Sequence, residues 1–349
     1  MSFLSVVALL FVVALSSLAA AIVLVAWRHR RNRHAEREAA VRTVLFRTLQ
    51  DPSRSEEFVG ALVASDGPIL EAKARRLLAG LTGEDRETLA RLLESRGAVA
   101  AARRQCRSHR AESRSAACQL LGDAGSAFAV LDLVPLLDDR SLAVRLDAAK
   151  ALGRLGQPSA VAPLLGAVKG RHPIPVDVVA DAVEQIRECP VSLLRQCILD
   201  PSASTRAVGA EILGRLHVLE AIGDLIDVLE GDPVPHVRVR AARALGRLES
   251  PRAIKPLLAC LESGSPSLRA ETASALGRLG SPAAIPELRM TLLGPSARMS
   301  ELAGQALAAI VPQGLAALED IADDEGHDAA LVARKVLAAR HRRGVSAPG

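Results

Sequence analysis

The hydrophobic pattern of the chain begins with one unbroken apolar segment. From Phe3 to Trp27 the residues are apolar except for three serines, and no side chain in the segment is charged. A helix rises about 1.5 Å per residue, so a helix of this length exceeds the roughly 30 Å of a bilayer's hydrocarbon core. The pattern therefore predicts a transmembrane helix over residues 1–27.

The alternative to an anchor is a cleaved signal peptide, because Leu18, Ala19 and Ala20 offer small residues at a plausible cleavage site. No basic residue precedes the apolar segment, however, and the segment is longer than the roughly 7 to 15 apolar residues of a signal peptide. The membrane anchor is therefore the favoured interpretation.

A basic segment follows the apolar one, and residues 28–50 are predicted to form a basic juxtamembrane helix. Because positively charged flanks stay on the cytoplasmic side, the N-terminus is expected outside and the rest of the chain in the cytoplasm. The chain is thus predicted to be a single-pass protein of a bacterial inner membrane. The predicted membrane-interface residues are Trp27, Arg28, Arg30, Arg31 and Arg33.

After residue 50 the pattern changes to a repeat of short amphipathic segments. The string ALGRLG at residues 151–156 recurs in variant form, so that its glycines are spaced by about 31 residues or by twice that interval. The double interval contains one degenerate unit, in which Glu184 takes the place of the glycine. A fixed period of this length indicates a repeat architecture. The marker glycines are Gly122, Gly153, Gly214, Gly246 and Gly277.

Each unit has the pattern of two helices, and Pro158, Pro251 and Pro282 lie where the second helix would begin. Proline fits there because its missing N–H has no partner in the first turn. Stacked pairs share one aliphatic core. The sequence therefore predicts an all-α fold, with the N-terminal transmembrane helix followed by a right-handed α-solenoid. Its predicted parts are a divergent helical segment (51–110), the repeats (111–325), a capping helix (326–341) and a disordered tail (342–349).

The units resemble the short HEAT-like repeats of the phycobilisome lyase type. Residues 237–261 read VRVRAARALGRLESPRAIKPLLACL, and residues 268–292 follow the same pattern. Repeats of this family often carry an Asp near the turn and an Arg six residues later that bridge neighbouring units, so the resemblance implies a structural ladder. Its members here are Asp139, Arg145, Asp200, Arg206, Asp232, Arg238 and Arg269, while Arg114 and Arg269 have Ser108 and Ser263 in place of the Asp.

Charge and composition narrow the expected partners. The chain holds 44 Lys+Arg against 39 Asp+Glu, a net charge of +5, and residues 1–50 carry all of this excess. Aromatic residues make up only 2% of the chain, so rings that could stack on nucleic-acid bases are scarce. No nucleic-acid partner is expected. The five cysteines form no CxxC pair, which favours a reducing compartment.

No catalytic motif is found in the sequence. It has neither a phosphate-binding P-loop nor a nucleophile elbow, and its histidines do not recur in phase with the repeats. Cys118 and Cys260 fall on apolar helical faces and are expected in the core. Catalytic residues, a metal site and cofactors are therefore all expected to be absent.

The surface of the solenoid remains as the expected functional feature. Its concave groove, lined mainly by second helices, suits a helix or an extended peptide. The sequence thus predicts a membrane-tethered scaffold or adaptor that binds membrane-associated proteins. Two alternatives stay open: an enzyme or accessory subunit like the phycobilisome lyases or deoxyhypusine hydroxylases, and a partner of a membrane enzyme such as a glycosyltransferase or transporter. The candidate groove residues are Asp224, Asp227, Lys255 and Glu287.

Overall fold

Every regular element in the described part of the chain is a helix. The structure is a computed structural model that describes residues 3–62, 66–78, 80–324 and 328–342, with the backbone alone at residues 3–23, 26, 30, 34 and 127. The helices are α1 (Phe3–Gln50), α2 (Ser55–Gly60), α3 (Gly67–Leu78), α4 (Gly83–Ser95), α5 (Ala98–Gln105), α6 (Ala111–Ala124), α7 (Val130–Leu133), α8 (Leu142–Leu155), α9 (Val161–Gly166), α10 (Val176–Glu184), α11 (Val191–Ile198), α12 (Ala203–Arg215), α13 (Ile222–Gly231), α14 (Pro235–Leu248), α15 (Ile254–Ser263), α16 (Pro266–Leu279), α17 (Ile285–Leu292), α18 (Ala297–Ala309), α19 (Gln313–Ala322) and α20 (Ala329–Arg342).

The chain divides into two compact units. The first comprises Met1–Arg104 with Asp123–Gly125, and the second comprises Gln105–Gly122 with Ser126–Gly349. Within the first unit, an ion pair of 3.0 Å between Lys73 Nζ and Glu38 Oε2 links α3 to α1. Its core consists of aliphatic side chains from α1, α3 and α4, among them Val41, Leu45, Leu70, Leu89 and Leu93.

Helix α1 runs without a break through both the predicted anchor and the predicted juxtamembrane helix. Among the residues that the structure describes, none of the helices combines the length and the apolar character needed to cross a membrane. This finding overturns the predicted transmembrane helix and, with it, the predicted inner-membrane location and orientation. The apolar pattern of residues 3–23 falls on side chains outside the described ones, as do Met1 and Ser2. Where side chains are described, the helix soon becomes basic, and its far end packs into the first unit through Val41 and Leu45.

The residues predicted at a membrane interface lie along α1. Trp27 is 57% exposed, and the guanidinium carbon of Arg31 lies 5.3 Å from the centroid of its ring, in cation–π contact. Arg28 and Arg33 are exposed, and the side chain of Arg30 lies outside the described ones. Their assignment to a membrane interface depended on the anchor and is corrected with it.

The second unit consists of helix pairs stacked in two layers. The first helices α8, α10, α12, α14, α16, α18 and α20 contact one another in succession, and the second helices α11, α13, α15, α17 and α19 form another row. Each of these second helices also packs against the first helix that follows it. The unit is therefore an α-solenoid, and its right-handedness stays a prediction. Aliphatic side chains fill the space between the layers, among them Leu152, Leu213, Leu245 and Leu276.

Proline and glycine mark the junction between the two helices of a pair. A short 3-10 turn begins at Pro158, Pro251 and Pro282, and an α-helix follows directly in each case. Gly156 ends α8 in the left-handed region with φ of 65°. Glu249 adopts the same conformation after α14 with φ of 49°, at a position where glycine is free of strain.

The glycine of the repeat lets successive first helices approach closely. A Cβ atom on Gly214 would lie 2.5 Å from the Cα atom of Ala244, and one on Gly246 would lie 2.7 Å from the Cβ atom of Ala275. Such distances leave no room for any side chain. The same kind of contact with the next first helix occurs at Gly122, Gly153 and Gly277.

The last described helix of the second unit is α20, which lies in the region where the sequence predicts a capping helix. Residues 325–327 and 343–349, which hold nearly all of the predicted tail, lie outside the described residues. The boundaries of the sequence-based domains stay predictions.

Candidate functional site

Two arginines whose side chains are largely out of solvent, Arg114 and Arg206, connect consecutive repeats. Arg114 donates to Asp139 through Nε (2.7 Å) and Nη2 (2.8 Å), and through Nη1 to the carbonyl oxygen of Ser108 (2.7 Å). Arg206 donates to Asp232 through Nε (2.6 Å) and Nη2 (3.0 Å), and through Nη1 to the carbonyl oxygen of Asp200 (3.0 Å). Each arginine thus binds a main-chain carbonyl oxygen of the turn before its own helix and the aspartate carboxylate of the following unit.

The carboxylates of these two rungs are ionised. Burial would raise the pKa of Asp139 and Asp232, but hydrogen bonds from Arg114 and Arg206 outweigh burial and hold both pKa values below their ordinary range. Bidentate hydrogen bonds between an arginine and a carboxylate are stronger than hydrogen bonds between neutral groups. The two rungs are therefore structural contacts between repeats.

The other predicted ladder residues do not form rungs. Arg145 donates through Nη1 to the carbonyl oxygen of Asp139 (2.8 Å) and pairs with no carboxylate of the described residues. The Nε atoms of Arg238 and Arg269 donate to main-chain carbonyl oxygens, at Leu229 (2.7 Å) and Leu261 (2.8 Å). Asp200 accepts from Lys169 at 3.0 Å instead of from an arginine.

A buried carboxylate in the first-helix layer is absent from the sequence-based predictions. Glu211 on α12 is fully buried and accepts hydrogen bonds from Arg215 (2.8 Å), Arg240 (3.0 Å) and Arg247 (2.7 Å). Arg243 lies 3.9 Å from the same carboxylate. We call Glu211 and these four arginines the Glu211 cluster.

The Glu211 cluster extends to the neighbouring first helices. Arg240 donates through Nη2 to Asp177 Oδ2 (3.1 Å), so a side chain of α14 reaches past α12 to α10. The cluster therefore ties several repeats together at once. Further ion pairs join Arg215 to Asp181 and Glu184 on α10, and Arg243 to Glu271 on α16.

The chemistry of the Glu211 cluster is that of a structural ion network. Burial would raise the pKa of Glu211, but the hydrogen bonds from Arg247, Arg215 and Arg240 outweigh it and lower the pKa to about 2. Such a carboxylate holds no proton at neutral pH. The sequence carried one signal for the cluster, since three of its arginines recur at helical spacing along α14.

The predicted groove residues lie on three second helices. Asp224 on α13 accepts from Arg195 Nε at 2.6 Å, whereas Asp227 on the same helix is exposed. Lys255 on α15 is exposed, and the half-buried Glu287 on α17 lines a shallow cavity of about 450 Å³. No hydrogen bond or ion pair between described atoms joins the four residues. Their role in a shared groove stays a prediction.

Comparison with known families identifies the repeat. A family model of HEAT repeats matches residues 99–184, 191–274 and 254–338, which together make up more than half of the chain. The chain belongs to the HEAT-repeat family. The predicted family resemblance is confirmed at this level.

Solved structures are similar to this HEAT-repeat chain at low sequence identity. Kap121p bound to Pho4p is 12% identical with a TM-score of 0.52, over 87% of this chain and 40% of that one. The complex of CpcE and CpcF of phycocyanin lyase from Nostoc sp. PCC7120 is 21% identical (TM-score 0.35; 69% of this chain, 94% of that one). Human deoxyhypusine hydroxylase in complex with glycerol is 22% identical (TM-score 0.31; 88% and 98%).

Such low identities show the fold alone, and this chain spans less than half of the Kap121p chain. A search of the curated proteins found no match.

Two cysteines of the HEAT repeats lie in the core. Burial raises the pKa of the Cys118 thiol to about 12, and Cys118 and Cys260 are both buried, as the apolar pattern predicted. Over the described residues, no group of three or more His, Cys, Asp or Glu side chains is placed to hold a metal ion. The expectation that the chain lacks a metal, a cofactor and catalytic residues stays a prediction.

Proposed function

We propose that this HEAT-repeat chain is a scaffold or adaptor that binds other proteins, and that it acts by binding and not by catalysis. The observation that carries the proposal is a contrast between two positions of the second helix. The inward position is a buried leucine in five of the units: Leu133, Leu164, Leu225, Leu257 and Leu288.

The outward position, two residues earlier, changes in chemistry from unit to unit. It is aliphatic, small, basic or proline, and its side chain is exposed in all but one unit. A constant core beneath a varied surface is what a repeat scaffold uses to recognise a partner. The residues at this position are Leu131, Ala162, Gly223, Lys255 and Pro286.

One end of this outward row is strongly apolar. Phe128 is 74% exposed in the 3-10 turn Ala127–Ala129, and Leu131 is 77% exposed in α7, which follows this turn directly. Large apolar side chains that stay in contact with water are typical of protein interaction sites. This end of the row supports a protein partner more than a small-molecule substrate.

The test compares matched charge reversals on the two layers. Lys255→Glu changes the second-helix row, and Lys150→Glu makes the same change at an exposed lysine of the first-helix layer. The chain and both variants are crosslinked in cells and purified, and bound proteins are quantified by mass spectrometry. We expect a stoichiometric partner that Lys255→Glu loses and Lys150→Glu retains.

Absence of any stoichiometric partner would overturn the scaffold proposal. Equal capture by the chain and both variants would remove the second-helix row as the binding surface. The finer resemblance to phycobilisome lyases, and an accessory role for another enzyme, stay predictions that the identity of the partner would decide.

A further inference from the structure

Three arginines occupy the same place in their repeats and make the same main-chain contacts. Each donates through Nη1 to the carbonyl oxygen six residues earlier, at 2.7 Å for Arg114, 2.8 Å for Arg145 and 3.0 Å for Arg206. In Arg114 and Arg206 the remaining edge, formed by Nε and Nη2, holds both oxygens of an aspartate from the next unit. In Arg145 that edge holds no carboxylate of the described chain.

The missing carboxylate follows from the sequence of the degenerate unit. The rung aspartates Asp139 and Asp232 lie three residues before the first helices α8 and α14. Three residues before α10 the chain has Pro173, which offers no acceptor side chain. The carboxylate of Asp139 is already taken by Arg114 and by the N–H of Ser141. No acidic side chain of the ladder is therefore left for Arg145.

Arg145 nevertheless stays buried in the rung conformation. It is only 8% exposed, and its Nε atom is buried without a hydrogen-bond partner. Arg238 and Arg269, which also lack an aspartate in the next unit, turn Nε to a main-chain carbonyl instead. An unpaired buried guanidinium donor is costly, which favours an acceptor supplied from outside.

The neighbouring loop favours an anion at this place. This loop connects α9 to α10 and carries Lys169, Arg171 and His172. It contacts the turn before α8, because the main-chain N–H of His172 donates to Asp138 Oδ1 (3.3 Å). Lys169 is engaged by Asp200, but Arg171 is exposed. The turn carries two acidic side chains, Asp138 and Asp139, and Arg114 holds the carboxylate of Asp139. Asp138 therefore opposes an anion, against the positive charges of Arg145 and Arg171.

We propose that Arg145 forms the floor of a site for an oxyanion, a carboxylate or a phosphate, that takes the place of the absent rung aspartate. The anion would accept two parallel hydrogen bonds from Nε and Nη2, as Asp139 and Asp232 do at the intact rungs. Its source is either a free anion or an acidic side chain of a bound protein, since the bonding groups are the same.

The test measures thermal unfolding of the chain in increasing inorganic phosphate, and separately in increasing acetate, with chloride at matched ionic strength as the baseline. We expect either anion to raise the melting temperature progressively, because a ligand of the folded state stabilises it by mass action. Preference for phosphate would indicate a free phosphate or phosphate ester, and preference for acetate would indicate a carboxylate.

Three variants locate the effect. Arg145→Gln removes the site, and Pro173→Asp supplies an internal carboxylate, so both variants are expected to lose the response to anions. In chloride, Pro173→Asp is also expected to have a higher melting temperature than the unmodified chain. Arg238→Gln changes the equivalent arginine of another unit and should keep the full response. An unchanged response in Pro173→Asp and Arg145→Gln, or no response in the unmodified chain, would overturn the proposal. Pro173→Asp keeps the test valid if Arg145→Gln fails to fold.

Discussion

Two neighbouring junctions in the first-helix layer are held together in different ways. Between α12 and α14, Gly214 meets Ala244 at van der Waals contact, and Arg206 binds Asp232 in a buried rung. Backbone proximity and a paired charge act together there. Within the Glu211 cluster, hydrogen bonds from Arg240 and Arg247 to Glu211 cross the same junction.

The junction between α10 and α12 lacks both of these contacts. Glu184 stands at the glycine position, and Val179 stands where the ladder arginine would be, six residues after Pro173. Surface ion pairs take over, because Arg215 reaches Asp181 on α10. A degenerate repeat can thus stay in the stack when charges from its neighbours replace its own signature residues.

The largest expected effect comes from removing the carboxylate of Glu211, which holds Arg215, the side chain that reaches α10. Glu211→Ala leaves the arginines of the Glu211 cluster facing one another without their central anion. Breaking a buried ion pair from one side costs about 3 to 5 kcal/mol, and we expect a loss of that size in the free energy of unfolding. Urea denaturation measures it, with Glu184→Ala as the control, because that exposed side chain should cost about 1 kcal/mol at most.

Acid provides a second measurement of the same cluster. The pKa of Glu211 falls from an ordinary 4.5 to about 2 in the folded chain, so its contribution is complete above pH 4.5 and is lost as the pH falls toward 2. Unfolding free energies at a series of pH values should therefore fall more steeply for the unmodified chain than for Glu211→Gln. Parallel curves for the two proteins would show that Glu211 titrates normally.

The sequence predicted the parts of this fold that depend on local periodicity. The marker glycines, the prolines before the second helices and the buried cysteines were all placed correctly, because each follows from helical spacing within one unit. The Glu211 cluster was missed because three of its arginines lie on a different helix from Glu211, with Arg240 and Arg247 29 and 36 residues away from it. Which charges meet there depends on how the helices stack.

The errors and gaps have equally specific causes. Hydropathy predicted an anchor from composition alone, and no described helix meets the requirements of one. Arg114 and Arg206 bind aspartates of the next unit, 25 and 26 residues away, whereas the predicted spacing of six residues lies within one unit. Arg145 has no such partner because Pro173 stands where the aspartate of the next unit would be. A ladder inferred from one unit at a time cannot show which unit lacks a partner.

The next largest effect tests the close contact at the α12–α14 junction. Gly214→Ala would place a Cβ atom 2.5 Å from the Cα atom of Ala244, so the two helices must separate. Overpacking of this kind costs about 1 to 3 kcal/mol. The control is Gly223→Ala on α13, where a Cβ atom would meet nothing within 4 Å and helix propensity favours alanine by up to about 1 kcal/mol. A loss of stability in both variants would show that the contact with Ala244 is not the cause.

The smallest effect compares the two rung positions directly. Asp232 and Asp200 each accept the N–H two residues later at 2.8 Å, so Asp232→Ala and Asp200→Ala lose the same turn contact. They differ in the cation, because Asp232 holds Arg206, whose side chain is 13% exposed, whereas Asp200 holds Lys169, whose side chain is 47% exposed. Charged hydrogen bonds in buried sites contribute more than exposed ion pairs, so Asp232→Ala should cost about 1 to 2 kcal/mol more in urea denaturation. Equal costs would mean that the rung adds nothing beyond an exposed pair.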